Sequence, residues 1–365
     1  MFLLGQPSAA GFWYDGKVGM AEVRRIGSRM NRLGLFSVLF LVTSLAPGTL
    51  WAQHEHHRVA QHKTAAGVKL EVRDDPAAQV LTLRLGPLNL PAHADHLAVA
   101  QAPDLFLTIP FDGWLIAYHP RLADAAGETL PNRLLHHVAF WNTDRSDFLC
   151  PKKQEHIFGA GSEMNDWPAL PGVGYRVAQG DRLRISTMFH NPTDTPYPQT
   201  YIEVRMEYRL LAGGPARPAG GPPLQSVYPA WFDVQECGPS GYDLQPGKNE
   251  TRGEFTLPYT GRLLGVGGHL HDYGQQLRLE NATLEEEMAT LDANLDPAGR
   301  LVSLPIVLFV DRGGYGLRQG EVVKVTAFYH NLTGKLLPEG AMGIVVGYFL
   351  PGNDQQMAAL KRNNK

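Results

Sequence analysis

Cysteine is nearly absent: the chain has two, Cys150 and Cys237, in 365 residues. That excludes a sulfur-rich metal centre and a small scaffold held together by disulfides. The two can pair in an oxidising compartment and tie the halves of the chain together, or stand as separate thiols. Charge of one sign is also scarce. The formal net charge is −3 and no basic stretch alternates with aromatics, so nucleic acid is not an expected partner. Helical periodicity is limited to one short candidate, "NATLEEEMATL".

Long hydrophobic runs are missing too. The apolar run Leu33 to Leu45 has thirteen residues, whereas a bilayer-spanning helix needs about 20. No stable membrane span is therefore expected. Arg24, Arg25, Arg29 and Arg32 precede the run and Pro47-Gly48 ends it, the pattern of a signal peptide with cleavage after Ala52. Met20 or Met30 gives a more ordinary signal length, which makes the residues before it an upstream extension. The mature protein is expected to be secreted or periplasmic.

The remaining chain has 44% hydrophobic residues, enough for real cores, and its length suits two domains. Stretches such as "VKLEVRD" and "QVLTLRLGPLNL" alternate with period two, and Asp74-Asp75-Pro76 marks a turn between them. "LAGGPARPAGGPPLQ" has almost no core-forming residues and reads as a linker. The expected organisation is an extension plus signal peptide over 1–52, a His-rich disordered leader over 53–66 and a first β-sandwich domain over 67–210. A linker over 211–226, a second β-sandwich domain over 227–352 and a polar tail over 353–365 follow.

The two halves also repeat. Gly180–Asn191 aligns without a gap to Gly320–Asn331, and the register continues to Tyr208 against Tyr348 at a constant offset of 140. This predicts an all-β fold of two tandem antiparallel β-sandwiches.

Histidine is what the chain has in quantity. His136 and His137 form a doublet in "LLHHVAFWN", and His269 and His271 form another in "GVGGHLHDYG". Side chains two apart on a strand share a face, so His269 and His271 can converge on one ion. Each doublet is followed by a lone soft-metal donor, His190 in the first half and Met342 in the second. A thioether added to two imidazoles favours copper over zinc. The pattern reads as a two-site copper protein. The repeat also puts His330 in register with His190, which makes it an alternative third ligand at the second site, with Met342 left in the core.

These motifs resemble the copper type II ascorbate-dependent monooxygenases, the family that includes peptidylglycine α-hydroxylating monooxygenase and dopamine β-monooxygenase. The family's His-His-Met signature corresponds to His136-His137-Val138, and its His-Thr-His-x-x-Gly signature to His269-Leu270-His271-Asp272-Tyr273-Gly274. "MFHNPTDTP" at His190 and "AMGIVVGYF" at Met342 match its lone histidine and methionine, over roughly Leu70 to Pro351. The resemblance implies two jelly-roll-like β-sandwich domains facing a solvent-filled cleft, with two unbridged copper ions per chain. His136, His137 and His190 would hold the electron-transfer copper. His269, His271 and Met342 would form the catalytic site, where a second copper binds O2 and a C–H bond is hydroxylated with electrons from an external donor.

The chain departs from the family pattern at several positions. Thr143 stands where the first signature has cysteine. Gly267, Ile344 and Val346 stand where peptide-hydroxylating members hold a substrate carboxylate. An apolar pocket cannot repay the desolvation of a carboxylate, so the expected substrate is a small, uncharged organic molecule. A non-catalytic copper-binding or copper-buffering protein is the alternative. His93, His96, His119 and His156 lack partners in sequence and read as structural or exposed. The tract with His54, His56, His57 and His62 reads as a solvated leader. Asn249, Asn281 and Asn331 fit the glycosylation pattern.

Overall fold

The computed structural model describes residues 63–163, 166–211 and 224–360. The expected extension and signal peptide, the histidines of the leader, the centre of the linker and the end of the tail lie outside the described residues. Within them the chain is all β, with twenty-two strands and three short 3-10 helices. "NATLEEEMATL" is not a helix: Gly274–Asn281 and Glu286–Asp292 pair as antiparallel neighbours across a turn. Burying Met288, Ala289 and Leu291 in the core outweighs the weak helical preference of that segment.

One long sheet runs in the order Lys69–Asp75, Val80–Leu90, Tyr197–Leu210, Gly113–Ala123, Val173–Val177, Gln225–Asp233, Gly343–Pro351, Gly261–Leu270 and Val307–Leu308. Its first five strands come from the first half of the chain and the others from the second. The two parts meet where Gln225–Asp233 pairs parallel with Val173–Val177. Each half adds a four-stranded antiparallel sheet. The first has the order Leu105–Thr108, Arg182–Phe189, Leu135–Ser146, Gln154–Gly161. The second has the order Gly247–Thr256, Val322–Asn331, Gly274–Asn281, Glu286–Asp292.

Period-two burial builds a core between the facing sheets of each half, the arrangement of a β-sandwich. In Arg182–Phe189, Leu183, Ile185 and Phe189 point into the first core against Leu83, Ile202 and Met206. In Val322–Asn331, Val323, Val325 and Ala327 point into the second core against Val266, Leu277 and Phe349. Gly343–Pro351 is buried on both faces, as its unbroken apolar run requires. Val345 and Phe349 enter the second core while Ile344 and Val346 enter the first. Residues of both halves accordingly belong to one compact unit.

The internal repeat reaches individual hydrogen bonds. The Asn191 amide donates to the Thr195 carbonyl at 2.8 Å, and its oxygen accepts from the backbone N–H and hydroxyl of Thr193 at 3.0 and 2.7 Å. The Asn331 amide donates to the Lys335 carbonyl at 2.7 Å, and its oxygen accepts from Thr333 at the same two distances. Asn281 and Asn331 are 0% and 2% exposed and hydrogen-bonded in this way or to Glu321. Their amides are structural and closed to glycosylation.

Cys150 and Cys237 form a disulfide across 87 residues, with Cα atoms 5.6 Å apart. It joins the turn after Leu135–Ser146 to the turn after Gln225–Asp233, one from each half. Loop-closure entropy makes a bridge over so long a span worth about 2–5 kcal/mol. Cys150→Ala/Cys237→Ala should lower the unfolding free energy by that amount in denaturant titrations. Equal stability of the oxidised and doubly substituted proteins would contradict this.

Candidate functional site

A defect in strand pairing creates the first part of the site. Leu135 pairs with Phe189 and His137 with Met188, so His136 is an extra residue opposite the neighbouring strand. Adjacent side chains on a regular strand point to opposite faces, and a bulge relaxes that rule. As a result the His136 and His137 rings lie 5.3 Å apart, with their Nδ1 atoms 3.2 Å apart. His190 follows directly after Arg182–Phe189, and its ring is 5.4 Å from that of His136.

The second part comes from the end of Gly261–Leu270. His269 pairs with Ile344 in the strand and His271 lies just beyond it, their rings 5.4 Å apart. The family resemblance implies that the two sets face each other across solvent. In the structure the His136 and His271 rings are 4.4 Å apart, which joins His190, His136, His137, His271 and His269 into one cluster. This contact follows from the shared sheet, which brings the end of Gly261–Leu270 against the bulged end of Leu135–Ser146. Met342 lines a cavity together with His137 and His269.

His330 is not drawn in. It neighbours Tyr329, which points into the second core, so the pleat turns the His330 side chain to the opposite face.

Several contributors were not legible in the sequence. His96 lies 5.2 Å from His136 by ring centroids and lines the same cavity as His136, His190 and His271. Glu163, fully buried in its side chain, places Oε1 3.0 Å from His269 Nδ1 and accepts from the Gly161 N–H at 2.8 Å. A carboxylate at Nδ1 favours the tautomer that carries its proton there, which leaves the lone pair on Nε2. Gly161 permits this contact, since a Cβ there would lie 2.6 Å from His269 Cε1. The Tyr329 hydroxyl accepts from the backbone N–H groups of His271 at 2.9 Å and Met342 at 3.2 Å, and it donates to the Met342 carbonyl. One phenol thereby fixes two of the predicted ligands. His156 is stacked between Trp141 and Trp231. His93 and His119 pair with Asp194 and Asp166, as structural or surface histidines do.

Burial sets the electrostatics. It holds the His136 and His271 pKa values well below the usual imidazole range, and the neighbouring imidazoles add to the effect. Burial likewise brings His190 down to about 4, against a backbone hydrogen bond to Arg133 that opposes the shift. Neutral rings keep a lone pair for a metal. Nε2 of His190, His269 and His271 are buried without a hydrogen-bond partner among the described residues. Buried polar atoms are usually satisfied, and three orphaned imidazole nitrogens, with the Met342 thioether in the cavity that His269 lines, are donor types suited to copper. Among the described residues no three His, Cys, Asp or Glu side chains are already gathered at coordination distance. The fit therefore rests on donor chemistry.

No protein-family model matches the chain, and no curated protein does. Among solved structures it is similar to PNGF-II, at 8% identity and TM-score 0.32, over 80% of this chain and 63% of that one. The mavirus major capsid protein follows at 11% identity and TM-score 0.18, over 87% and 93%. Bacillus subtilis oxalate decarboxylase follows at 8% identity and TM-score 0.13, over 80% and 79%. Likeness at these levels carries no argument about function.

The buried imidazoles predict acid sensitivity of the metal-free protein. His136, His156, His190 and His271 have folded pKa values below the unfolded value of about 6.5. Their contribution to stability is complete above that pH and lost as pH falls through it. Glu155, Asp147, Asp233 and Asp272 act oppositely, because burial raises their carboxyls, the first two to about 7 and about 6, and their contribution is lost as pH rises. Between pH 7.5 and pH 5 the four imidazoles outweigh the two carboxyls raised into that range, and each net proton taken up on unfolding is worth about 1.4 kcal/mol per pH unit. Denaturation midpoints should fall from pH 7.5 to pH 5, and more steeply in Glu155→Gln. A flat profile would mean that the rings are hydrated.

Proposed function

We propose that the protein is an exported copper-dependent monooxygenase that hydroxylates a C–H bond of a small, uncharged organic substrate. The observation that carries this reading is the cluster of imidazoles drawn from both halves beside a mostly apolar cavity that contains Met342. His136, His137 and His190 would hold one copper. His269, His271 and Met342 would hold the other. Bound copper supplies one-electron redox chemistry and a place for dioxygen. The reaction balances as R–H + O2 + 2 e⁻ + 2 H⁺ → R–OH + H2O, with the electrons from an external ascorbate-like reductant.

The chain's own residues supply geometry and dryness. Glu163 keeps the His269 lone pair on Nε2, and Tyr329 holds the backbones of His271 and Met342 in register. Ile344 and Val346 line the cavity and make a carboxylate costly there. The disulfide suits an oxidising compartment. No helix among the described residues is long and apolar enough to cross a membrane.

A copper-binding protein without turnover is the second reading, favoured by Gly267, Ile344 and Val346 at the positions of the family's carboxylate clamp. Elemental analysis of the copper-loaded protein should give two copper ions per chain, and reductant-dependent oxygen uptake with small neutral substrates should exceed that with glycine-extended peptides. One tight equivalent, or preferential zinc, would overturn the two-copper reading. Two coppers without oxygen uptake would favour the buffering role.

Met342→Ile keeps bulk at a half-buried position. X-ray absorption of the Cu(I) protein should contain a sulfur scatterer that disappears in this variant. Its absence from the wild type, or its persistence in the variant, would transfer the ligand role away from Met342.

A further inference from the structure

The cavity beside His137, His269 and Met342 has a second polar feature that metal binding does not use. His156, from Gln154–Gly161, is half-buried, with Trp231 stacked on one face at 3.4 Å and Trp141 on the other at 4.6 Å between ring centroids. The residue lines a cavity of about 120 Å³, and its Nε2, which has almost no exposed surface, has no hydrogen-bond partner among the described residues. Ser240, which also lines the cavity, is engaged with Asp233.

Gly159 keeps this corner open. A Cβ there would lie 2.9 Å from Trp231 Cη2 and 3.7 Å from His156 Nε2. Burial also favours the neutral His156 ring. At about 120 Å³ the cavity is somewhat smaller than the ~150 Å³ that accommodates benzene, but it is partly open, so it suits a single ring whose substituent extends toward the opening.

We propose that this cavity is the substrate subsite and that His156 is its recognition residue, hydrogen-bonding through Nε2 to a hydroxyl group of a small, otherwise apolar molecule. A hydroxyl both donates and accepts, so it satisfies either tautomer of the ring. A carboxylate would meet Val346, Ile344 and tryptophan instead of a cation. The term substrate rests on the monooxygenase reading; binding in the cavity does not.

The test uses 4-methylphenol, toluene and 4-methylbenzoate as probes, titrated into the purified protein with and without copper. Calorimetry and tryptophan fluorescence give the affinities. Wild type should bind 4-methylphenol about tenfold more tightly than toluene and 4-methylbenzoate weakest of the three. His156→Phe keeps an aromatic ring in the stack and should erase the preference for the phenol while retaining toluene. Gly159→Val should weaken both. If His156→Phe does not fold, His156→Gln, which retains a hydrogen-bonding group, should keep the phenol preference with reduced affinity for both rings. A phenol preference that survives His156→Phe, a Gln variant that loses it, or no binding of either ring by wild type overturns the subsite. Binding as expected without oxygen uptake overturns the monooxygenase reading and leaves the subsite standing. Oxygen uptake with other substrates while the probes fail to bind does the reverse.

Discussion

The arrangement depends on a single strand that has no solvent face. Gly343–Pro351 presents Val345 and Phe349 to one core and Ile344 and Val346 to the other. Exposing either face would cost the burial of several large apolar side chains, each worth about 1.5–3 kcal/mol. The halves are consequently held by a shared hydrophobic surface, to which the parallel pairing at Val173–Val177 and the Cys150–Cys237 bridge add further ties. Because Gly343–Pro351 also pairs with Gly261–Leu270, the constraint carries His269 and His271 to a fixed place against His136.

Once imidazoles are packed that closely, their protonation and orientation follow from the surroundings. Low hydration disfavours the charged form, and neighbouring rings discourage it further. Orientation then falls to groups just behind the cluster. The Glu163 carboxylate reaches from the first half to His269 in the second, and the Tyr329 phenol bonds to backbone on both sides of it. A network of this kind preserves geometry only if its members remain dry, which connects the compactness of the fold to the chemistry proposed for it.

The repeat shows how two copies of one plan diverged. The Asn191 and Asn331 devices hold equivalent turns with nearly equal hydrogen bonds. His190 and His330 occupy equivalent positions just before them, yet only His190 meets the cluster. The outer face of the first four-stranded sheet lies toward the second half, where Trp231 stacks on His156 and His271 meets His136. Among the described residues no such ring partner faces His330. Equivalent positions acquired different surroundings because the two halves associate asymmetrically.

The period-two alternation and the offset of 140 were enough to determine an all-β sandwich from local rules, since side-chain alternation needs no knowledge of distant residues. The histidine doublets were likewise readable as candidate donors. The segment "NATLEEEMATL" misled because its helical preference was small beside the burial available to a hairpin. Tertiary structure alone decided that Cys150 and Cys237 pair, that His136 bulges and that the two donor sets touch. It also decided that Glu163, Gly161, Tyr329, His96 and His156 belong to the site. Each of these depends on which surfaces of the two halves meet, a choice made by burial of apolar area summed over many distant residues, and no local pattern encodes it.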